Sequence, residues 1–176
     1  MGDLLYYLRQ KTSDWIVRMN GMVQTMNNLD FLPPVFTRGD IQSTTLEEWM
    51  CLLQGIVDYS NYETIILDFG DGVSELYRLL GQCNRIYMPV RNDPISQAKL
   101  KQFENILKIW NQGAVLDKIV KLKLPYHRTI HKGVNCLDDL VWSELGDFVR
   151  ELIRKEEGKE EAGWKETSSL ISDRNL

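Results

Sequence analysis

Between Tyr62 and Gly72 the chain reads Tyr-Glu-Thr-Ile-Ile-Leu-Asp-Phe-Gly-Asp-Gly, a short apolar run that ends in a carboxylate and opens into a glycine-rich turn. That pattern predicts a buried parallel strand over 62–68 that carries Asp68 to the mouth of a nucleotide site. It constrains the fold as much by what is missing around it. Only 61 residues precede it, and none of them forms a glycine loop able to cradle phosphates. The expectation is the back half of a nucleotide-binding domain without its front half.

The rest of the chain supplies the helices that such a strand needs. Residues 3–11 predict a short helix with Leu4, Leu5 and Leu8 on one side. Residues 13–26 fit a helix face or an irregular strand equally, Asn27-Asn28 marks a turn, and Leu29 to Leu32 predicts a short strand stopped by Pro33-Pro34. Thr44-Thr45-Leu46-Glu47 reads as a capping box ahead of a helix whose inward face is Leu46, Trp49, Met50, Leu53, Ile56 and Val57. A helix over 73–82 and a strand over 85–90 follow. Asp93-Pro94 then opens a helix as N-cap and first helical residue, with Ile95, Ala98, Phe103, Ile106, Leu107 and Trp110 inward and Gly113 at its end. A strand over 116–124 is closed by Pro125. A last helix spans 137–155, with Leu140, Val141, Leu145, Phe148, Val149 and Leu152 inward, and from Glu156 a charged tail predicts disorder. Alternating strands and helices predict an α/β fold, a partial doubly wound parallel sheet flanked by helices, over 1–155, with 156–176 as the tail.

Composition narrows the function classes. A net charge of −4 argues against a nucleic-acid protein driven by bulk charge. Cys51, Cys83 and Cys136 are widely spaced and odd in number, which fits reduced thiols acting as small core residues in a cytoplasmic chain. The N-terminus has no basic stretch and no cleavage site of a signal peptide, and no apolar run reaches membrane-spanning length.

In a parallel sheet the residues just after each strand line the ligand site. Three such ends are expected to converge: 68–72, Arg91-Asn92-Asp93, and Pro125-Tyr126-His127. A strand-end acid suits Mg²⁺ bound through water, and glycines after it let backbone amides approach a phosphate. A plainer reading competes, in which Asp71 or Ser74 simply starts the next helix.

The stretch from Tyr62 to about Asn105 resembles the MinD/ParA family of P-loop ATPases, above all the branch that positions Flp/Tad-type pili. The resemblance rests on residues 62–72 and on Ile86-Tyr-Met-Pro-Val-Arg-Asn-Asp-Pro-Ile-Ser-Gln-Ala-Lys99. Leu122-Lys-Leu-Pro125 and residues 140–150 add to it, and residues 3–9 and 31–34 are compatible with the middle of that domain. It implies that Asp68 is the Walker B acid placing Mg²⁺ and that Gly72 holds the family's γ-phosphate glycine position. It also implies that Gly70, Asp71, Arg91, Asn92, Pro125 and Tyr126 border the nucleotide, with ATP and Mg²⁺ as cofactors. Two departures stand out. Gly70 replaces a proline, and Asp71 puts an extra negative charge beside a phosphate. The larger departure is the Walker A loop, a Lys-Gly-Gly-x-Gly-Lys-Ser/Thr run that Gly21, Gly39, Gly55 and Gly113 do not supply. In the family that loop follows the strand beside the Walker B strand, so the strand ending at Asp68 loses a neighbour. The resemblance therefore implies the C-terminal part of a nucleotide-dependent positioning or assembly switch. It would not hydrolyse ATP alone, and it would pair with a second copy or with the missing N-terminal half.

Other residues carry less. His127 and His131 sit four apart with no third ligand nearby, and Cys83 has no neighbouring base. Asp138, Asp139, Glu144 and Asp147 read as the outer face of the last helix. The lysines of 118–123 suit a strand near a sheet edge, and Trp164 is the tail residue with binding potential. A non-catalytic interaction module docking on a larger assembly is the main alternative. A response-regulator-like domain would need a second pair of acids that the sequence does not show.

Overall fold

The computed structural model of the protein describes residues 2–10, 14–26, 29–70, 72–125 and 136–156. The expected turn at Asn27-Asn28 and the tail from 157 onward lie outside the described residues, as do Asp71, Tyr126, His127 and His131. The architecture is mixed α/β and mostly helical, with two small two-stranded sheets. The elements in order are α1 (Gly2–Arg9), α2 (Trp15–Met22), β1 (Gln24–Met26), β2 (Leu29–Phe31), α3 (Arg38–Gln42), α4 (Leu46–Tyr59) and α5 (Leu76–Gln82). They continue with β3 (Ile86–Pro89), α6 (Pro94–Ile109), α7 (Gly113–Leu116), β4 (Ile119–Leu122) and α8 (Cys136–Val141). A final helix, α9, covers 144–156. The chain divides into two compact units, Met1–Ile86 with Lys101–Ile119, and Tyr87–Leu100 with Val120–Leu176.

In the first unit, α1 docks its Leu4, Leu5 and Leu8 stripe on Met19, Trp49, Leu52 and Leu79. The leucines fall at i, i+1 and i+4, so one side of two turns is apolar and the burial follows from the period. A polar clamp holds the same helices. Arg9 donates from Nε to Glu48 Oε1 at 3.0 Å and from a terminal nitrogen to Ser43 Oγ at 2.9 Å. The capping box of α4 is real but sits one residue later than the sequence suggests: Thr45 Oγ1 accepts from the Glu48 amide, and Glu48 Oε2 accepts from the Thr45 amide at 2.8 Å. Thr44 is buried instead, its hydroxyl donating to the Asp40 carbonyl at 2.7 Å. The inward face of α4 centres on Trp49, Leu52 and Gly55, with Leu46 and Ile56 packed against the same core, and Val57 faces solvent. Cys51 is exposed, not a core residue.

Trp49 is 7% exposed, and its indole Nε1 has no hydrogen-bond partner. A buried unsatisfied donor costs free energy that an apolar ring would not. Trp49→Phe is therefore expected to change stability by less than ~1 kcal/mol, the lost packing offset by removal of the orphan N–H. Urea unfolding checks it.

A second cluster in the same unit gathers Leu80, Ile86, Leu107 and Val115, with Tyr77, Phe103, Leu116 and Ile119 packed around them. The helix α6 ends where Asn111 takes a positive φ of 56°. Asn is one of the few residues other than Gly that tolerate this region. The Gln112 amide donates to the Leu107 carbonyl at 2.7 Å and the Asn111 amide to the Lys108 carbonyl at 3.1 Å, which is a Schellman stop. Gly113, expected to end this helix, begins α7 instead.

The strands β3 and β4 pair in parallel, with the Ile86 amide donating to Lys118 O at 2.9 Å and the Val90 amide to Leu122 O at 2.8 Å. They are joined through α6 and α7, so this part is a strand–helix–strand crossover of the expected kind. The other sheet is an antiparallel hairpin, with Met26 opposite Leu29 and Gln24 opposite Phe31.

In the second unit, the cap of α6 is the one the sequence indicates. Asp93 Oδ1 accepts from the Ser96 amide at 2.9 Å, and its Oδ2 accepts from the Ser96 hydroxyl at 2.7 Å. The bonds from the Ser96 backbone and side chain hold the Asp93 carboxyl below its ordinary value. A carboxyl lowered on folding contributes stability that is complete above its unfolded value and fades as pH falls through its folded value. The loss of stability from Asp93→Ala should accordingly be larger at pH 7 than at pH 3 in paired urea titrations.

The predicted last helix is two helices. Ser143 interrupts it, its hydroxyl donating to Leu140 O at 2.6 Å and accepting from the Gly146 amide at 3.3 Å. That is an N-cap geometry for α9. Gly146 lies so close to the Val141 and Leu140 carbonyls that a Cβ there would overlap them. Of the residues expected to face inward, Leu140, Leu145, Phe148 and Leu152 are half-buried, while Val141 and Val149 are exposed.

Candidate functional site

The segment from 62 to 70 forms no strand. Exposure nevertheless alternates along it: Ile65, Leu67 and Phe69 are half-buried, whereas Ile66, Asp68 and Gly70 are exposed. The period-two pattern is there, but among the described residues the segment joins no ladder. Phe69 anchors the run by packing against both apolar clusters of the first unit. At the other end Tyr62 donates its hydroxyl to Asp30 Oδ2 at 2.6 Å, while the Thr25 hydroxyl donates to Asp30 Oδ1. These two bonds hold the Asp30 carboxyl below its ordinary value, and the bond to Asp30 pushes the Tyr62 phenol up. The segment is thus tied to the β1–β2 hairpin by side chains rather than laid into a sheet.

Asp68 consequently stands in solvent beside exposed Ile66, not at the mouth of a buried strand. A Cβ placed on Gly70 would meet nothing within 4 Å, and one on Gly72 would lie 3.6 Å from the Arg38 side chain. Among the described residues no three His, Cys, Asp or Glu side chains gather as a cation group. Taken alone, these residues offer Mg²⁺ one solvated carboxylate and no opposing phosphate loop, so no step of ATP chemistry follows from them.

The remaining candidates belong to the second unit. The Arg91 guanidinium is exposed and lies 3.4 Å from Asp93 Oδ2, and its carbonyl accepts from Gln97 Nε2 at 2.7 Å. Arg91 thereby braces the start of α6. Asn92 is exposed. Pro125, just past β4, lines an open cleft of about 570 Å³ together with residues of α9. Its polar rim comes from Lys123 on the strand side and from Glu144, Asp147, Arg150, Glu151 and Arg154 on the helix. Phe148 supplies its apolar surface.

Sequence reasoning missed a surface feature in the first unit. Trp110, at the end of α6, was expected to face inward. It is 58% exposed, with its ring edge-on to Tyr77 at a centroid distance of 4.7 Å. Tyr77 in turn lies 5.7 Å from Phe103. A ladder of three rings runs from the second apolar cluster to the surface, and Ile109 beside it is 77% exposed. Its signal was the pair Ile109-Trp110 immediately before the Asn that ends the helix. Residues past the last full turn leave the inward face.

Cys83 is half-buried, and burial pushes its thiol up against the opposing pull of Lys118. That is the inert direction for a nucleophile. No described helix is long and apolar enough to cross a membrane. Compared with protein-family models, with curated proteins and with solved structures, the chain matches none.

Proposed function

We propose that the chain is a non-catalytic protein-interaction module that docks on a larger assembly. The observation carrying this reading is the aromatic ladder that ends at Trp110. Its rings touch in turn, Tyr77 tilted against Phe103 and edge-on to Trp110, and yet end in solvent. A rigid, exposed tryptophan loses little freedom on binding and is the residue type that most often anchors an interface. The exposed Ile109 widens the apolar surface around it. The test is the size of the native complex. Tagged at its own locus, the chain should elute in an assembly much larger than 20.5 kDa, and Trp110→Asp should release it. Elution of the unmodified chain at its own mass would sink the reading.

A second reading is favoured by the parallel β3–β4 pair and its helical crossover. In it the chain is the C-terminal part of a MinD/ParA-like switch, with Asp68 reaching Mg²⁺ and ATP once an upstream half supplies the missing strand and loop. Asp68→Ala would then abolish Mg-ATP binding by the completed domain while leaving assembly through Trp110 unchanged.

A further inference from the structure

We infer that residues 64–68 pair with the same residues of a second copy of this chain as a two-stranded antiparallel ladder, with Ile66 opposite Ile66. The inference goes beyond the surface at Trp110 and uses a different part of the first unit. Residues 64–70 run without turn or bend, and their exposure alternates. Among the described residues, the backbone of 64–70 makes no hydrogen bond. A straight, half-buried run with unused amides and carbonyls is a template for another strand, and such edges are ordinarily guarded by Lys or Pro. Thr64-Ile-Ile-Leu-Asp68 contains neither, and it begins with β-branched residues, which suit a ladder.

The segment's own sequence selects the occupant. In an antiparallel pair centred on Ile66, Thr64 of each copy stands opposite Asp68 of the other, and Ile65 opposite Leu67. Thr64, Ile66 and Asp68 are exposed while Ile65 and Leu67 are half-buried, so opposed residues agree in exposure throughout. On the open face Ile66, 82% exposed in the single chain, covers its counterpart. Each Thr64 hydroxyl can donate to an Asp68 carboxylate across the ladder. A parallel pair in register would instead set Asp68 against Asp68, and like charges directly opposite are destabilising. The contact is isologous and closes at two copies. A ladder this short buries less than the ~1,000 Å² of a stable interface, so the dimer is weak and fills at high protein concentration.

The experiment is sedimentation velocity of the full chain from low micromolar to near-millimolar concentration. The unmodified chain should move toward the dimer as concentration rises, and Trp110→Asp should leave that shift unchanged. Thr64→Asp sets carboxylates opposite each other at both ends of the ladder and should weaken the dimer about ten-fold, whereas Thr64→Lys, facing Asp68, should strengthen it. Thr64 is exposed, so circular dichroism of both variants should match that of the parent. Cross-linking fixes the register. In a background of Cys51→Ser, Cys83→Ser and Cys136→Ser, Ile66→Cys should give a disulfide-linked dimer under copper-phenanthroline oxidation. Thr64→Cys alone should not link, but should do so when mixed with the Asp68→Cys chain. A monomer at every concentration, a dimer indifferent to charge at residue 64, or linking of Thr64→Cys to itself would overturn the proposal. A monomer whose Trp110-dependent assembly persists removes this pairing and leaves the interaction-module reading standing.

Discussion

Leu107→Ala is expected to lower stability by about 2–5 kcal/mol, enough to unfold a large fraction of a marginal domain. Leu107 has no exposed surface and, among the described residues, shares its cluster with three other buried side chains, Leu80, Ile86 and Val115. Removing three carbons from so small a core forfeits their transfer free energy and leaves a hole that few neighbours can fill. The backbone contribution survives, because the Leu107 carbonyl still accepts the Gln112 amide in the helix stop. Helix propensity shifts slightly in favour of Ala and cannot offset the loss. Two residues along the same helix, Ile109 is 77% exposed, and Ile109→Ala should change stability by no more than ~0.5 kcal/mol. Urea midpoints for the pair separate the effect of burial from that of side-chain size. Near-equal midpoints would mean that α6 does not pack through Leu107.

The helices were legible because their signals are local. The leucine stripe of α1, the Asp93-Pro94 start of α6 and the Thr/Glu box before α4 need only a few neighbouring residues to be recognised. Errors of register arose where two adjacent residues compete for one role. With Thr44 and Thr45 both able to cap, the choice fell to tertiary contacts, as Thr44 is buried against α3 and Arg9 fixes Glu48. The inward face is a separate matter, set by packing: Leu52 is buried and Leu53 half-buried. The break at Ser143 had a signal, a hydroxyl residue directly before Glu144, which the continuous apolar periodicity masked.

Strands depend on partners that local sequence cannot supply. Residues 62–68 carry the apolar run and even the alternation of a strand, yet among the described residues they pair with no other strand, and the run stays out of both sheets. Asp68 was placed at a strand end, and without the strand it is a solvated carboxylate. By contrast β3 and β4 have each other and pair in parallel. Trp110 was missed because helical periodicity assigns a face to every apolar residue, including those beyond the final turn.

Gly55→Ala should destabilise the protein by about 1–3 kcal/mol, although the same change in an open helix would stabilise it. Gly55 is buried in the middle of α4, and a Cβ built on it would run into Cη2 and Cζ2 of the Trp15 indole from α2. The missing side chain is what lets the indole lie against the helix backbone. A helical Gly sacrifices roughly 1 kcal/mol of propensity relative to Ala, and here that sacrifice is repaid by the packing of a tryptophan on the first core. To accept the methyl group, Trp15 must move away from Met19 and its neighbours. Gly21 provides the opposite case on α2, since a Cβ there meets nothing within 4 Å, and Gly21→Ala should raise stability by up to ~1 kcal/mol. Coupling assigns the cause: in a double-mutant cycle, Trp15→Ala should remove most of the Gly55→Ala penalty, because the indole is what the methyl group strikes. Additive effects of the two substitutions would show that the indole does not lie on Gly55.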